Sequence, residues 1–385
     1  MKALKVIYLI LFLSLIVLAC KENDPVSPLD NQSDAVPEKQ NSSPKNITVM
    51  TRNIYVGTDV DRLLMAEDPE QIPLIVTELM QMLEATNFPD RAVSLAQEIA
   101  ATQPHLIGLQ EVSLFRIQSP GDFVLGGKSP AKDVLIDYLD VLLQTMASMD
   151  LHYEVAAKVE NFDIELPMVT SQDPTFDDIR LTDYDVILVK KGIKISNVEE
   201  RNYRVKLTIP EMGIEIPRGY CAVTAEINGM KYRFVNTHLE DADQGGPLLK
   251  IQLAQAAELL IRLAKVKIPV ILVGDFNSAA QDEPTYRLVT LTNRYKDTWL
   301  LNSSVENPDG FTYGHDLDLL NTSQKFWKRI DHVFVREEMN IKGLELIQVT
   351  AEVIGDEILD KTSSGLWPSD HGGVVAELIF EKGCK

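Results

Sequence analysis

Cysteine, histidine and basic residues are all scarce in this chain. Three cysteines and six histidines occur in 385 residues. No Cys–His spacing marks a structural zinc site, and the few histidines are too dispersed for the several imidazole ligands that zinc hydrolases favour. Lys and Arg number 37 against 57 Asp and Glu, a formal charge of −20. This argues against a broad basic face of the kind that holds nucleic acid non-specifically. It leaves room for an enzyme whose positive charge comes from a metal ion. No internal repeat is present, and no stripe of Lys, Arg and aromatics marks a duplex-binding surface.

A hydrophobic run long enough to span a bilayer is also missing. The N-terminal apolar run from Val6 to Leu18 falls short of the roughly 20 residues a spanning helix needs. With Lys2 and Lys5 before it, the run has the charged and apolar regions of an export signal. It ends in Val17-Leu18-Ala19-Cys20, which resembles the bacterial lipobox. Residues 1–19 are therefore expected to be a lipoprotein signal peptide and Cys20 the lipidated residue. The protein would be exported and anchored to a bacterial membrane, on its periplasmic or cell-surface side. The plainer alternative is an ordinary signal peptide or short anchor that contains a Cys. Residues 20–45, rich in Pro, Ser, Asn, Asp and Lys, read as a flexible tether. Cys221 lies in an alternating, strand-like run and reads as a buried inert thiol. A disulfide to Cys384 is the alternative in an oxidising compartment.

What remains, residues 46–382, reads as one domain, and 45% hydrophobic residues supply a substantial core. Ile47 to Asn53 and Leu106 to Leu109 are strand-like. Leu74 to Leu83, Ala92 to Ala101 and Val134 to Met149 carry helical spacing. Further on the pattern turns to strands, at Tyr184 to Val189, Tyr203 to Ile209, Tyr220 to Ile227 and Tyr232 to Val235. Asn228-Gly229 is a strong hairpin signal between the last two. A helix is expected over Leu248 to Val266, then strands over Pro269 to Val273, Ile330 to Val335 and Val374 to Phe380. Many strands with few helices suggest two packed sheets with helices outside.

The apolar runs are bordered by acids, amides and imidazoles: Asn53, Glu111, His238, Asp275 with Asn277, Asp331, and Asp370 with His371. Carboxylate and amide oxygens suit a hard cation such as magnesium. Phosphoester hydrolysis needs charge neutralisation at the phosphoryl oxygens, an oriented water and stabilisation of the leaving oxygen. An Asp beside an Asn can accept a proton while the amide holds phosphate. A His paired with an Asp favours its imidazolium form. Taken singly, each residue has a plainer reading: a turn for Asn53, a surface acid for Glu111, an Asx-turn for Asp275 and Asn277, a loop acid for Asp331 or Asp370.

Six motifs stand in order: Thr51-Arg52-Asn53, Leu109-Gln110-Glu111, Asn236-Thr237-His238-Leu239, Gly274-Asp275-Phe276-Asn277, Arg329-Ile330-Asp331-His332-Val333-Phe334 and Ser369-Asp370-His371. Together they resemble the endonuclease/exonuclease/phosphatase, or DNase I-like, superfamily over the whole mature domain. The resemblance implies a four-layer α/β sandwich, two mixed β-sheets packed face to face with outer helices. It also implies a magnesium-dependent phosphoesterase, with manganese able to substitute. Glu111 would be the principal metal ligand, with Asn53 and Asp370 close to a single ion. Asp275 would orient or deprotonate water, with Asn277 as its phosphate-binding partner. Asp331 would pair with His371, and His238 would be the second imidazole at the phosphate.

The leading expectation is hydrolysis of a phosphodiester, nucleic acid included, outside the cytoplasm. A phospholipid or sphingomyelin head group, or an inositol phosphate, is the alternative within the class. A non-catalytic binding lipoprotein is the alternative outside it. The partners implied are the phosphate-ester substrate and the membrane, and no obligate protein partner is indicated. His332 is expected to pack, and His105, His152 and His315 to be surface or structural. Asp183 and Tyr184 are read as cleft-lining or strand-entry residues, Arg180 as a solvated side chain or a phosphate contact. Gly57 to Asp61 would shape the cleft rim.

Overall fold

The computed structural model describes residues 45–381, apart from Glu67, 171–174, 210–213, Gln244, 292–293, 303–308 and 338–344. The signal segment, Cys20, nearly all of the tether and Cys384 lie outside the described residues. In chain order the strands begin with β1 (Lys45–Asn53), β2 (Leu106–Gln118), β3 (Asp133–Asp137), β4 (Tyr153–Val169) and β5 (Phe176–Lys190). β6 (Lys194–Asn202), β7 (Leu207–Ile209), β8 (Ile214–Ile216), β9 (Gly219–Ile227) and β10 (Met230–His238) follow. The last are β11 (Val270–Asp275), β12 (Lys296–Asp297), β13 (Asp331–Arg336), β14 (Glu345–Ile354) and β15 (Gly373–Glu381). The helices are α1 (Asp61–Leu64), α2 (Ile72–Ala85), α3 (Phe88–Thr102), α4 (Tyr138–Ser148), α5 (Gly246–Leu263), α6 (Pro284–Thr290) and α7 (Thr298–Leu301).

One sheet runs β14-β15-β1-β2-β5-β4, with β3 paired to β2; the other runs β12-β13-β11-β10-β9-β6. Both are mixed, since β1 lies parallel to β2 and β10 parallel to β11 while their other pairings are antiparallel. Their inner faces meet in one apolar layer, where Ile47, Val49, Ile187 and Val189 face Val223, Phe234, Ile271 and Val273. Gly108 lets the sheets approach closely, because a Cβ there would stand 2.6 Å from Val273 Cγ2. The outer layers are α2, α3 and α4 over the first sheet, and α5 and α6 over the second. The expected four-layer sandwich is thus present. Among the described residues no helix is long and apolar enough to cross a membrane.

Several elements differ from the sequence expectations. β2 does not stop at Leu109 but runs on to Gln118, through a register shift between Leu109 and Val112. That β-bulge places Glu111 at φ +58. Such a left-handed conformation costs a non-glycine residue about 1–3 kcal/mol and clusters at functional sites. Val134 to Asp137 is strand, not helix: it pairs with β2, and the Asp137 side chain caps α4 by accepting from Asp140 N. The run from Tyr203 to Ile209 is broken, with Tyr203 past the end of β6. β4 and β14 escaped the sequence reading. Register shifts at Val155/Ala157 and Glu160/Phe162 scramble the alternation in β4, and one of β14's faces is mostly exposed. Asn228 and Gly229 take φ +52 and +74, as the β9–β10 hairpin requires.

Candidate active site

Strand ends of both sheets converge on a cleft of about 160 Å³. The motif residues reach it from the carboxyl ends of three strands, from the β2 bulge, from the start of β13 and from the turn before β15. Asn53 ends β1, Glu111 sits at the β2 bulge, His238 ends β10 and Asp275 ends β11. Gly274 has φ +148, and a Cβ there would collide with the Thr237 carbonyl; only glycine lets β11 deliver Asp275 beside His238. Asn277 takes φ +47, which folds its backbone N–H back onto Asp275 Oδ1 at 2.8 Å. This is an Asx-turn that also serves the cleft.

All eight expected residues come together. Asn53 Nδ2 donates to Glu111 Oε1 (2.9 Å) and Asp275 Oδ2 (3.1 Å). Val56 N donates to Glu111 Oε2 at 2.7 Å. His371 Nδ1 stands 2.9 Å from Asp331 Oδ2, which also accepts from Thr312 Oγ1 at 2.6 Å. Asp275 Oδ2 lies 3.5 Å from His238 Nε2 and 3.8 Å from His371 Nε2. Ser369 Oγ donates to the Asn53 carbonyl at 2.8 Å and so ties the last motif to the first. Asn277 Nδ2 is 3.1 Å from His238 Nε2 and 3.0 Å from the Leu239 carbonyl oxygen.

Burial separates the protonation states of these groups. Burial alone would lower the His371 imidazole, but Asp331, Asp370 and Asp275 outweigh it and raise it to about 10. His238 goes the other way: burial, then the Arg218 and His371 charges, hold it well below the ordinary imidazole value. Asp275 is pushed up to about 7, mainly by burial and Asp331, with His371 opposing. Burial raises Asp370 to about 6; His371 opposes, and the facing Glu111 adds to the rise. Two imidazoles in opposite charge states beside one carboxylate are an acid/base division of labour.

The donor set fits a divalent cation. Glu111 and Asp370 line the same cleft and repel each other electrostatically, and a hard cation between oxygen ligands removes that repulsion. Asp275, Asp331 and His371 also offer ligand atoms within 4.8 Å of one another. There, however, Asp331 Oδ2 is taken by Thr312 and His371, and a protonated imidazole is no ligand.

Residues 80–371 match the model of the Endonuclease/Exonuclease/phosphatase family. The chain belongs to that family. Its fold is also that of an endonuclease/exonuclease/phosphatase family protein from Bacteroides thetaiotaomicron, 17% identical, with a TM-score of 0.52 over 88% of this chain and 96% of that one. A mannosyl-6-phosphatase of the same organism is 17% identical with a TM-score of 0.48, over 86% of this chain and 99% of that one. Truncated Caenorhabditis elegans TDP2 is 17% identical with a TM-score of 0.45, over 86% and 97%. No curated protein matches the chain. Members of the family are phosphoesterases, and this member carries the fold and the motif constellation in one cleft.

Other expectations resolve as follows. His332 is fully buried and packs against Phe276 and Phe334, with Nε2 2.9 Å from the Ser278 carbonyl oxygen. His315 is buried between Phe326 and Trp367; His105 Nδ1 accepts from Thr48 N, and His152 is exposed beside Asp150. Cys221 is buried and has no disulfide partner among the described residues; Cys384 lies outside them. Arg180 is neither freely solvated nor in the cleft, because Asp163 binds it by two hydrogen bonds. Asp183 lies inside β5, not at its entry, and lines the cleft; Tyr184 points to the other face, under Lys158. Thr58, Asp59, Val60 and Asp61 form part of the cleft wall.

Sequence reasoning missed Arg218, Asp241, Asp243, Tyr313 and Lys328, which line the same cleft. Arg218 was within reach: counting outward from the Asn228-Gly229 turn puts Gly219 opposite His238 and Arg218 just beyond. Tyr313, whose ring lies 4.8 Å from that of His371, follows no apolar run and carried no signal. Arg52, inside the first motif, is buried and clamps Glu98 of α3 and the His371 carbonyl.

Proposed function

We propose that this protein is a magnesium-dependent phosphoesterase in which Glu111, Asn53 and Asp370 hold one divalent cation. The observation that carries the reading is the convergence of His238 and His371 on Asp275 Oδ2, at 3.5 and 3.8 Å, in the cleft that Glu111 and Asp370 also line. A bound cation would supply positive charge at the phosphoryl and leaving oxygens. Asp275, raised toward neutrality, accepts the proton of the attacking water, and Asn53 Nδ2 holds its Oδ2 in place. Asn277 and His238 present N–H donors to the phosphoryl oxygens. His371, kept protonated by Asp331, stabilises charge that develops on the transferring group. Proton transfer by such positioned groups contributes about 10²–10⁴-fold.

The substrate proposed is a phosphodiester in a small molecule or head group. The cleft wall carries Asp59, Asp61, Asp241 and Asp243, and its cations are Arg218, beside Glu240, and Lys328, paired to Asp243. Such a wall repels a polyanion beyond the scissile phosphate, so duplex nucleic acid is the second reading. A panel of sphingomyelin, an inositol phosphate, plasmid DNA, RNA and a simple monoester, each with magnesium and then EDTA, tests this. Turnover of a small diester that stops with EDTA is expected. Hydrolysis of plasmid DNA alone would overturn the substrate assignment, and no turnover of any member would overturn the activity. Export and lipid anchoring through Cys20 complete the proposal and rest on the lipobox-like segment alone.

A further inference from the structure

The cleft floor contains a buried cation that hydrolysis does not account for. Arg218 precedes β9, and its Nη1 lies 3.2 Å from His238 Nδ1. Its Nη2 stands 3.7 Å from Glu240 Oε1. A guanidinium has only donors and keeps its proton in proteins, so Nδ1 of His238 must be bare and accept. On the other side, Asn277 Nδ2, also a donor, stands 3.1 Å from Nε2. A neutral imidazole accepts at one nitrogen only. Asn277 has a second acceptor in the Leu239 carbonyl at 3.0 Å. Arg218 Nη1 has His238 as its hydrogen-bond partner among the described residues. With Nδ1 given to the charged guanidinium, the single ring proton goes on Nε2, toward Asp275 Oδ2 at 3.5 Å, and Asn277 keeps the Leu239 carbonyl rather than the ring as its acceptor.

A second feature points at the same arginine. Asp183 and Asp185 lie on one face of β5 and are both buried. Asp183 accepts from Asn161 Nδ2 at 2.9 Å, and neither Asp185 carboxylate oxygen has a hydrogen-bond partner among the described residues. Burial pushes Asp183 up to about 7 and Asp185 well above the ordinary carboxylate range, and the Arg218 charge opposes both shifts. Arg218 acts on both, and Asp183 and Asp185 are among the four acids, with Glu240 and Glu111, that keep Arg218 charged against its burial. The groups acting on His238 are thus Arg218, Asp275, His371 and, through Arg218, these four acids.

We propose that Arg218, held beside Glu240, is a positioning residue that fixes His238 as a neutral imidazole protonated on Nε2. His238 then donates a hydrogen bond to a phosphoryl oxygen and transfers no proton, which leaves His371 as the charged imidazole of the site. The identity of that oxygen rests on the phosphoesterase reading; the state of the ring does not.

The test is nitrogen NMR of protein labelled with ¹⁵N-histidine, with His238 assigned by difference from a His238→Asn sample. The wild type should show bare Nδ1 and protonated Nε2, unchanged between pH 5.5 and 8. Arg218→Met should mix the tautomers, make the ring titrate and lower kcat/KM by roughly 10- to 100-fold, the usual effect of losing an orienting partner. Arg218→Lys, still a pure donor, should restore the tautomer and most of the rate. A wild-type His238 protonated on Nδ1, or on both nitrogens at pH 7, overturns the proposal without any variant having to fold. So does a folded Arg218→Met with the wild-type spectrum. The expected spectrum in a protein that hydrolyses nothing would overturn the phosphoesterase reading and leave the role of Arg218 standing.

Discussion

Asp331→Asn isolates what the His371–Asp331 pair does. The substitution keeps the side-chain shape and an oxygen for Thr312 Oγ1, so the fold should survive; Asp331 Oδ1 has no hydrogen-bond partner to lose among the described residues. What disappears is the largest of the three carboxylate contributions that lift His371 to about 10. Removing an opposite charge at hydrogen-bond distance shifts a pKa by about 1–3 units, each unit worth 1.36 kcal/mol. The sign follows from which form acts. His371 is needed protonated, so its contribution is present below its folded pKa and lost as pH rises through it. In the wild type that loss falls near pH 10. In Asp331→Asn it should move to between about pH 7 and 9, and at pH 8 kcat should fall by up to about 10-fold, the loss of the protonated fraction if the imidazole drops to about 7. The assay is kcat against pH from 5.5 to 10.5 with a chromogenic diester and magnesium. An unmoved basic limb with kcat within twofold of wild type would show that His371 does not act as an imidazolium held by Asp331.

Three further outcomes are expected. Glu98→Ala leaves Arg52 charged and buried without its carboxylate, a change that costs about 3–5 kcal/mol. It should lower the melting temperature, and also kcat, because Arg52 holds the His371 carbonyl. Asp356→Asn probes linkage: burial, Glu357 and Asp360 raise Asp356 to about 6. Its ionisation therefore destabilises the fold as pH rises from its ordinary value through 6. The variant should gain about 0.5–1 kcal/mol at pH 8, after allowance for solvent screening, and nothing at pH 3.5; thermal melts at both pH values check this. Cys20→Ser should release the protein from membranes or leave its precursor uncleaved in a fractionation experiment, whereas a membrane-bound, correctly cleaved variant would remove the lipid-anchor proposal.

How much was legible in sequence depended on what held each residue in place. The six motifs could be read because each follows or begins an apolar strand, so local pattern and chemistry coincide at Asn53, Glu111, His238, Asp275, Asp331 and His371. The fold was legible where alternation is regular, as in β9 and β10 around Asn228-Gly229. It was lost where bulges break the period, as in β4 and in β2 past Glu111. Groups set by tertiary packing left no local trace. Tyr313 reaches His371 from a loop, and Arg180, expected in solvent or at phosphate, is bound by Asp163 from the neighbouring strand.

The central claim is that the Glu111 and Asp370 oxygens take a divalent cation on which phosphoester hydrolysis depends. Its most direct measurement is hydrolysis of bis-p-nitrophenyl phosphate against magnesium concentration, for wild type and Glu111→Ala side by side. The wild type should saturate with magnesium and stop with EDTA, and Glu111→Ala should lose saturation and most of its rate. Turnover in EDTA, or a Glu111→Ala curve matching wild type, would contradict it.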